Sequence, residues 1–271
     1  MIQNLNKKKK FMNMGKVYVV ISGKGGVGKT TSAINIGSYM NTLGKEVIIV
    51  DANLTTPNVG LHFGSPIAPI TLNHVLSGKS DVKGAIYEHE SGTKIMPSSL
   101  SMSELKNVKM EKLSDVTKKL RKMADHIILD SAAGLGEEAK EAIKASDEII
   151  IITNPEICSI TDALKTIKLA EQMKKNVLGV IITRYRGDYL DMKIDTIRDM
   201  LESPILGIVP EENSIRESLH RKNPVIYTHP KSKAAKAYKK IVRRILGPEY
   251  IKRGQIQEEG FFKRFLRKLG F

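Results

Sequence analysis

The sequence predicts an α/β protein built on a doubly wound, mainly parallel sheet, and three observations carry that expectation. Short, mostly β-branched apolar runs at 17–22, 47–51, 126–130, 148–153, 177–183 and 205–209 have the composition of strands buried on both faces. Segments with helical spacing, such as 30–43, 137–145, 161–173 and 192–202, alternate with them. A glycine-rich turn joins the first strand to the first helix. Such alternation implies right-handed crossovers and helices on both sides of the sheet. Residues 94–97 offer a further strand.

The chain of 271 residues suits one such unit, and 41% hydrophobic with 27% charged residues excludes wholesale disorder. A body at 16–246 is expected to end at Gly247-Pro248, which stops the last helix, with a polar linker over 247–259. Residues 1–15 read as a disordered basic tail or a start-site artefact. Lys7 to Lys10 could open a signal peptide, but Asn13, Gly15 and Lys16 interrupt the apolar run behind them. No stretch reaches the roughly 18 apolar residues of a membrane span, so any membrane contact should be peripheral. A lone Cys158 excludes an internal disulfide and cannot supply a zinc or iron–sulfur site; just past a buried strand, it reads as a small packing residue. The histidines lack ligand spacing. A reducing cytoplasm is the expected setting.

The net charge of +15 calls for an acidic partner, either a phosphate polymer or an anionic lipid surface. Residues 231–253 hold nine basic residues against Glu249 alone. Lys263, Arg264, Arg267 and Lys268 follow in the last segment.

Gly23-Lys24-Gly25-Gly26-Val27-Gly28-Lys29-Thr30 fits G-x-x-x-x-G-K-[ST] and lies between an apolar strand and an amphipathic helix. In that context the run 23–31, through Thr31, predicts a P-loop. Glycines let successive N–H groups converge on phosphate oxygens, and the helix presents its positive end to the same anion. Lys29 would neutralise β- and γ-phosphates, and the Thr30 hydroxyl would meet Mg²⁺. Asp51 and Asp130 end their apolar runs at the carboxyl edge where open α/β sheets bind ligands, so both are candidate metal-facing carboxylates; each also suits a turn or helix cap.

These motifs, with Asp51-Ala52-Asn53, Asp130-Ser131-Ala132-Ala133-Gly134 and Thr153-Asn154-Pro155-Glu156, resemble the deviant Walker A ATPases of the MinD/ParA group over about residues 16–246. Ile95-Met96-Pro97, Thr183-Arg184-Tyr185, Gly207-Ile208-Val209-Pro210-Glu211 and the C-terminal tail are similar to the MinD branch. The resemblance implies a P-loop NTPase that uses ATP with Mg²⁺ and forms an ATP-dependent homodimer. It makes Lys24 the signature lysine, reaching the phosphates held by the opposite subunit. It puts adenine contacts near Thr183, Arg184, Pro210, Glu211 and Glu212. One position departs: where the group has a second Asp that positions the attacking water, this chain has Asn53. Asn orients water but accepts no proton, so slow hydrolysis is expected.

On a helix over 260–271, Phe261, Phe262, Phe265, Leu266 and Leu269 span an arc of roughly 140°, opposite the four cations. That split suits a helix lying in a membrane interface; a docked last helix is the plainer reading. Proteins of the MinD branch carry a membrane-targeting helix there. The expectation is therefore an ATPase peripherally attached to the inner face of the cell membrane, with an unidentified regulatory protein, that positions a process such as division-site selection. The alternative is a ParA-like ATPase whose 231–253 stretch grips DNA without base readout. A metallocluster carrier of the same superfamily would need cysteines this chain lacks.

Overall fold

The apolar runs pair into one eight-stranded sheet in a computed structural model that describes residues 14–247. The order in chain sequence is β1 (Lys16–Ser22), α1 (Lys29–Thr42), β2 (Val47–Ala52), α2 (Val59–His62), α3 (Leu72–Leu76), β3 (Tyr87–Glu88), β4 (Lys94–Met96) and α4 (Leu113–Leu120). There follow β5 (His126–Ala133), α5 (Glu137–Ala145), β6 (Glu148–Thr153), α6 (Ile157–Gln172), β7 (Asn176–Tyr185) and α7 (Ile194–Leu201). The last elements are β8 (Ile205–Pro210), α8 (Asn213–His220), α9 (Val225–Thr228) and α10 (Lys233–Leu246). Across the sheet the strands run β3-β4-β2-β5-β1-β6-β7-β8, all parallel except the β3–β4 pair.

Both faces of the sheet are covered, which is why its strands read as unbroken apolar runs rather than alternating ones. Along β1, Val17, Val19 and Ile21 enter one core beneath α3 to α7, while Tyr18 and Val20 enter the other beneath α1, α9 and α10. On α10, Ala234, Ala235, Tyr238, Ile241, Val242 and Ile245 are buried and the lysines between them are not. Its approach to β8 is close: a Cβ on Gly207 would lie 2.4 Å from Ile241 Cγ1, so only glycine lets the helix sit there.

The structure moves several boundaries. β5 runs on past Asp130 to Ala133, so Asp130 is interior to its strand. The β1–β5 register slips by one residue there, from Val20↔Asp130 to Ser22↔Ala133, and a β-bulge of small residues carries no β-branched signal. Helix α6 starts at Ile157, four residues before the expected 161, because Glu156 rather than Thr161 is its N-cap. The Thr161 hydroxyl instead donates to the Ile157 carbonyl at 2.9 Å, inside the helix. Cys158, expected to pack, is exposed in the first turn of α6. Gly15, assigned to the basic tail, is buried and paired in both directions with Arg121. Residues 1–13, the linker from 248 on, and the amphipathic segment 260–271 lie outside the described residues.

Candidate nucleotide site

The carboxyl ends of β1, β2 and β5 converge on the loop 23–28, and the first hydrogen bond of α1 runs from Ser32 N–H to Gly28 carbonyl at 2.9 Å. Gly28 is the N-cap of α1 with φ +94, a left-handed conformation that a side chain would strain. Ser22 Oγ donates to the Lys24 carbonyl at 2.6 Å and holds the start of the loop. A Cβ added to Gly25 would meet no atom within 4 Å, and Gly25 has no positive φ. Nothing in the protein's own packing demands glycine at Gly25. The open space beside its backbone is where a polyphosphate fits.

Lys29 is only 8% exposed, and burial lowers its pKa against the opposing charge of Asp130. Thr30 Oγ1 donates to Asp130 Oδ2 at 2.6 Å, whereas Asp130 Oδ1 is buried with no hydrogen-bond partner. Burial pushes the Asp130 carboxyl up to about 6, against the Thr30 hydrogen bond and the Lys29 charge. An orphaned carboxylate oxygen beside a threonine hydroxyl is an oxygen donor set that fits Mg²⁺ completed by phosphate and water oxygens.

Asp51, paired with the same metal role from sequence, is differently engaged. It is fully buried and opposite Asp130 in the β2–β5 register. Its Oδ2 accepts from Asn58 and Val59 N–H at 2.8 and 2.9 Å, and its Oδ1 from Asn53 N–H at 3.3 Å. Burial, then the Asp130 charge, raises its pKa well above the carboxylate range, and these amides oppose the rise. Asp51 therefore organises the loop after β2, and Asp130 holds the free oxygen. Asn53 spends its amide on Thr56: Nδ2 donates to the Thr56 carbonyl at 2.7 Å, and Oδ1 accepts from Thr56 N–H at 3.1 Å.

The residues proposed from resemblance for the adenine do come together. A cavity of about 770 Å³ is lined by Val27, Gly28 and Thr31 on one side and by Thr183, Arg184, Pro210, Glu211 and Glu212 on the other. Thr183 Oγ1 donates to the Val27 carbonyl at 2.5 Å and so ties β7 to the P-loop. Arg184 has φ +53, a left-handed turn at the end of β7. Glu212 accepts from Ala234 and Lys233 N–H at 2.9 and 3.4 Å, so its carboxylate caps α10. Asn213, Arg216 and Tyr238 also line the cavity; sequence reading missed them because nothing local marks their approach. Lys24 lies on the rim, half exposed, with Nζ 3.7 Å from Glu156 Oε2. Glu138 was missed as well: it accepts from Leu54 N–H at 3.0 Å and Thr55 Oγ1 at 2.5 Å, pinning the loop after β2 to α5.

A P-loop at the carboxyl edge of a doubly wound sheet, with a buried lysine and a threonine–aspartate pair, defines a P-loop nucleotide-binding protein. The sequence matches the CobQ/CobB/MinD/ParA nucleotide binding domain over residues 18–225, and the chain belongs to that family. It is 34% identical over 256 residues to an uncharacterised ATP-binding protein of Methanocaldococcus jannaschii, covering 94% of this chain and 97% of that relative. The cell division ATPase MinD of Pyrococcus furiosus superposes with TM-score 0.83 at 32% identity, covering 86% of this chain and 99% of that one. The septum site-determining protein MinD of Pyrococcus horikoshii, solved with Mg-ADP, gives 0.82 at 32% identity, covering 86% and 96%. The chain is thus a MinD-like member of the ParA group, whose P-loops use ATP with Mg²⁺. No helix of the described residues is long and apolar enough to cross a membrane.

Proposed function

We propose that the chain is a slow ATPase of the MinD type that dimerises on ATP and attaches reversibly to an anionic membrane to position a cellular process such as division-site selection. The observation that carries the reading is the P-loop geometry: Lys29 buried beside Asp130, with the Thr30 hydroxyl on one Asp130 oxygen and the other oxygen buried without a hydrogen-bond partner. Lys29 would neutralise the β- and γ-phosphates, Thr30 and Asp130 would hold Mg²⁺, and Thr183, Arg184 and residues 210–212 would flank the base. Bound Mg²⁺ would spread the charge that develops on the transferred phosphoryl group. Lys24 projects from the rim towards solvent, as a residue acting on a second subunit must. Within this reading the amphipathic segment 260–271 supplies the membrane contact. Two such segments on a dimer gain avidity of about 10²–10⁴ over one, which makes attachment depend on ATP. Cytoplasmic residence with peripheral membrane attachment follows, and a regulatory protein would stimulate hydrolysis.

A ParA-like reading has one observation in its favour, the exposed basic face of α10 within the 231–253 stretch. Co-sedimentation with anionic liposomes and, separately, with duplex DNA, each with ADP and with ATP, tests both. ATP-dependent lipid sedimentation without DNA binding is expected. ATP-dependent DNA binding without lipid sedimentation would replace the proposal with the ParA-like one.

A further inference from the structure

β8 is the terminal strand of the sheet, so its outer N–H and C=O groups meet no further strand among the described residues. Beside that edge lies a groove with a volume of about 770 Å³, floored by apolar groups including Leu206, Ile208 and Ala237. Its lining carries Arg198, Lys233, Lys236, Lys240 and Arg244 and no carboxylate. Arg198 is neutralised by Asp195 at 2.6 Å, but Lys233, Lys236 and Lys240 have no ion-pair partner among the described residues. Other helical lysines of this protein, Lys118, Lys165 and Lys168, pair with an acid one turn away. Glu212, at the start of α10, lies close enough to feel the Lys233 charge, and no carboxylate is paired with Lys236 or Lys240 of this α10 stripe among the described residues.

The stripe runs along the edge. Arg244, near the end of α10, donates to the Leu206 carbonyl at 2.7 Å, near the start of β8. Glu212, just past the end of β8, accepts from Lys233 and Ala234 N–H at the start of α10. The helix is therefore antiparallel to the strand beside it. Positions 233, 236, 240 and 244 rise by about 4.5–6 Å from one cation to the next. Alternate side chains of a strand repeat at about 6.6 Å, so every second residue of a strand laid on this edge would face one cation. Pro204 and Pro210 bracket the edge and limit pairing to about five residues.

We infer that the β8–α10 groove is a docking site for a short extended peptide of a partner protein, with acidic side chains at alternate positions, added as an edge strand to β8. Main-chain pairing would supply affinity, and the α10 cations would select acidic side chains and orient them. A strand edge offers main-chain pairing to another polypeptide and to neither a duplex nor a lipid headgroup, which favours a peptide as the occupant. The inference does not depend on the nucleotide reading.

The test uses the full chain and a fluorescein-labelled heptapeptide alternating glutamate and valine, followed by fluorescence anisotropy and hydrogen exchange. Saturable binding is expected, with new amide protection confined to residues 205–209. Lys236→Glu with Lys240→Glu should weaken it by about tenfold while ATP affinity and the melting temperature stay unchanged. Three outcomes would overturn the inference. A peptide of equal charge with proline at alternate positions binding as tightly would reduce the effect to bulk charge. Binding of short duplex DNA or anionic vesicles, lost in the double variant, with no peptide binding would assign the stripe to phosphate. Full protection of 205–209 in the free chain would assign the groove to the chain's own C-terminal segment.

Discussion

Asn53 and Asp130 show how single side chains set the chemistry available at the P-loop. Asn53 is engaged at both ends by Thr56, so it offers little to a water molecule. In Asn53→Asp the new carboxylate would face the Thr56 carbonyl across 2.7 Å, and that repulsion should turn it out of the contact. Turnover should rise by about tenfold with ATP affinity nearly unchanged, read by phosphate release and calorimetry. An unchanged or lower turnover would put the water elsewhere. Asp130 makes a pH prediction. Its folded pKa of about 6 exceeds the ordinary value of 3.8, so between those values the folded state binds the extra proton. Stability of the nucleotide-free protein should therefore fall as pH rises from about 4 to 6, by roughly 3 kcal/mol at most. Asp130→Asn should flatten that slope in melts across pH and should abolish Mg²⁺-dependent nucleotide binding. A slope unchanged by the substitution would assign the effect to another group.

At the scale of elements, Glu138 joins the first turn of α5 to the loop after β2, 84 residues away in sequence. Removing it in Glu138→Ala leaves Leu54 N–H and the Thr55 hydroxyl without their acceptor. Amide exchange at Leu54 should accelerate and stability should fall by about 1–2 kcal/mol, measured by hydrogen exchange and melting. Exchange as slow as in the parent chain would show that Asp51 alone holds the loop. This contact also marks where sequence reading stops. The long parallel strands were legible because burial on both faces writes itself as runs such as Ile149 to Ile152. The P-loop was legible because its chemistry is local. The hairpin strand β3 has two residues and no pattern to find. Helix α4 was not anticipated from a sequence with lysines at Lys118 and Lys119 in its last turn, although Leu113, Val116 and Leu120 are buried. Asp51, a candidate metal-facing carboxylate from sequence, also accepts from three amides of a loop whose path no spacing rule gives.

For the whole molecule, the predictions concern assembly. Lys24→Ala should keep ATP binding and lose the ATP-dependent dimer, seen by light scattering, since the half-exposed Lys24 ammonium is held among the described residues by a long ion pair to Glu156 at 3.7 Å. A normal dimer would make Lys24 an ordinary rim lysine. Deleting residues 260–271 should leave a folded ATPase that no longer sediments with anionic liposomes. Loss of folding would instead identify the segment as a docked core helix.

The position of β1 in the sheet also bears on how the protein is made. This strand leads into the P-loop, yet its neighbours β5 and β6 lie roughly 110–130 residues later in the chain. During synthesis at about 5–20 residues per second, it waits roughly 6–26 s for partners, with Val17, Val19 and Ile21 uncovered. Until then the phosphate loop has no frame to curl against, and Thr30 has no Asp130 to meet. The first motif translated is thus among the last to become competent. ATP can stabilise this protein only after the central strands have closed around β1, and it offers nothing to a nascent chain that stops short of β6.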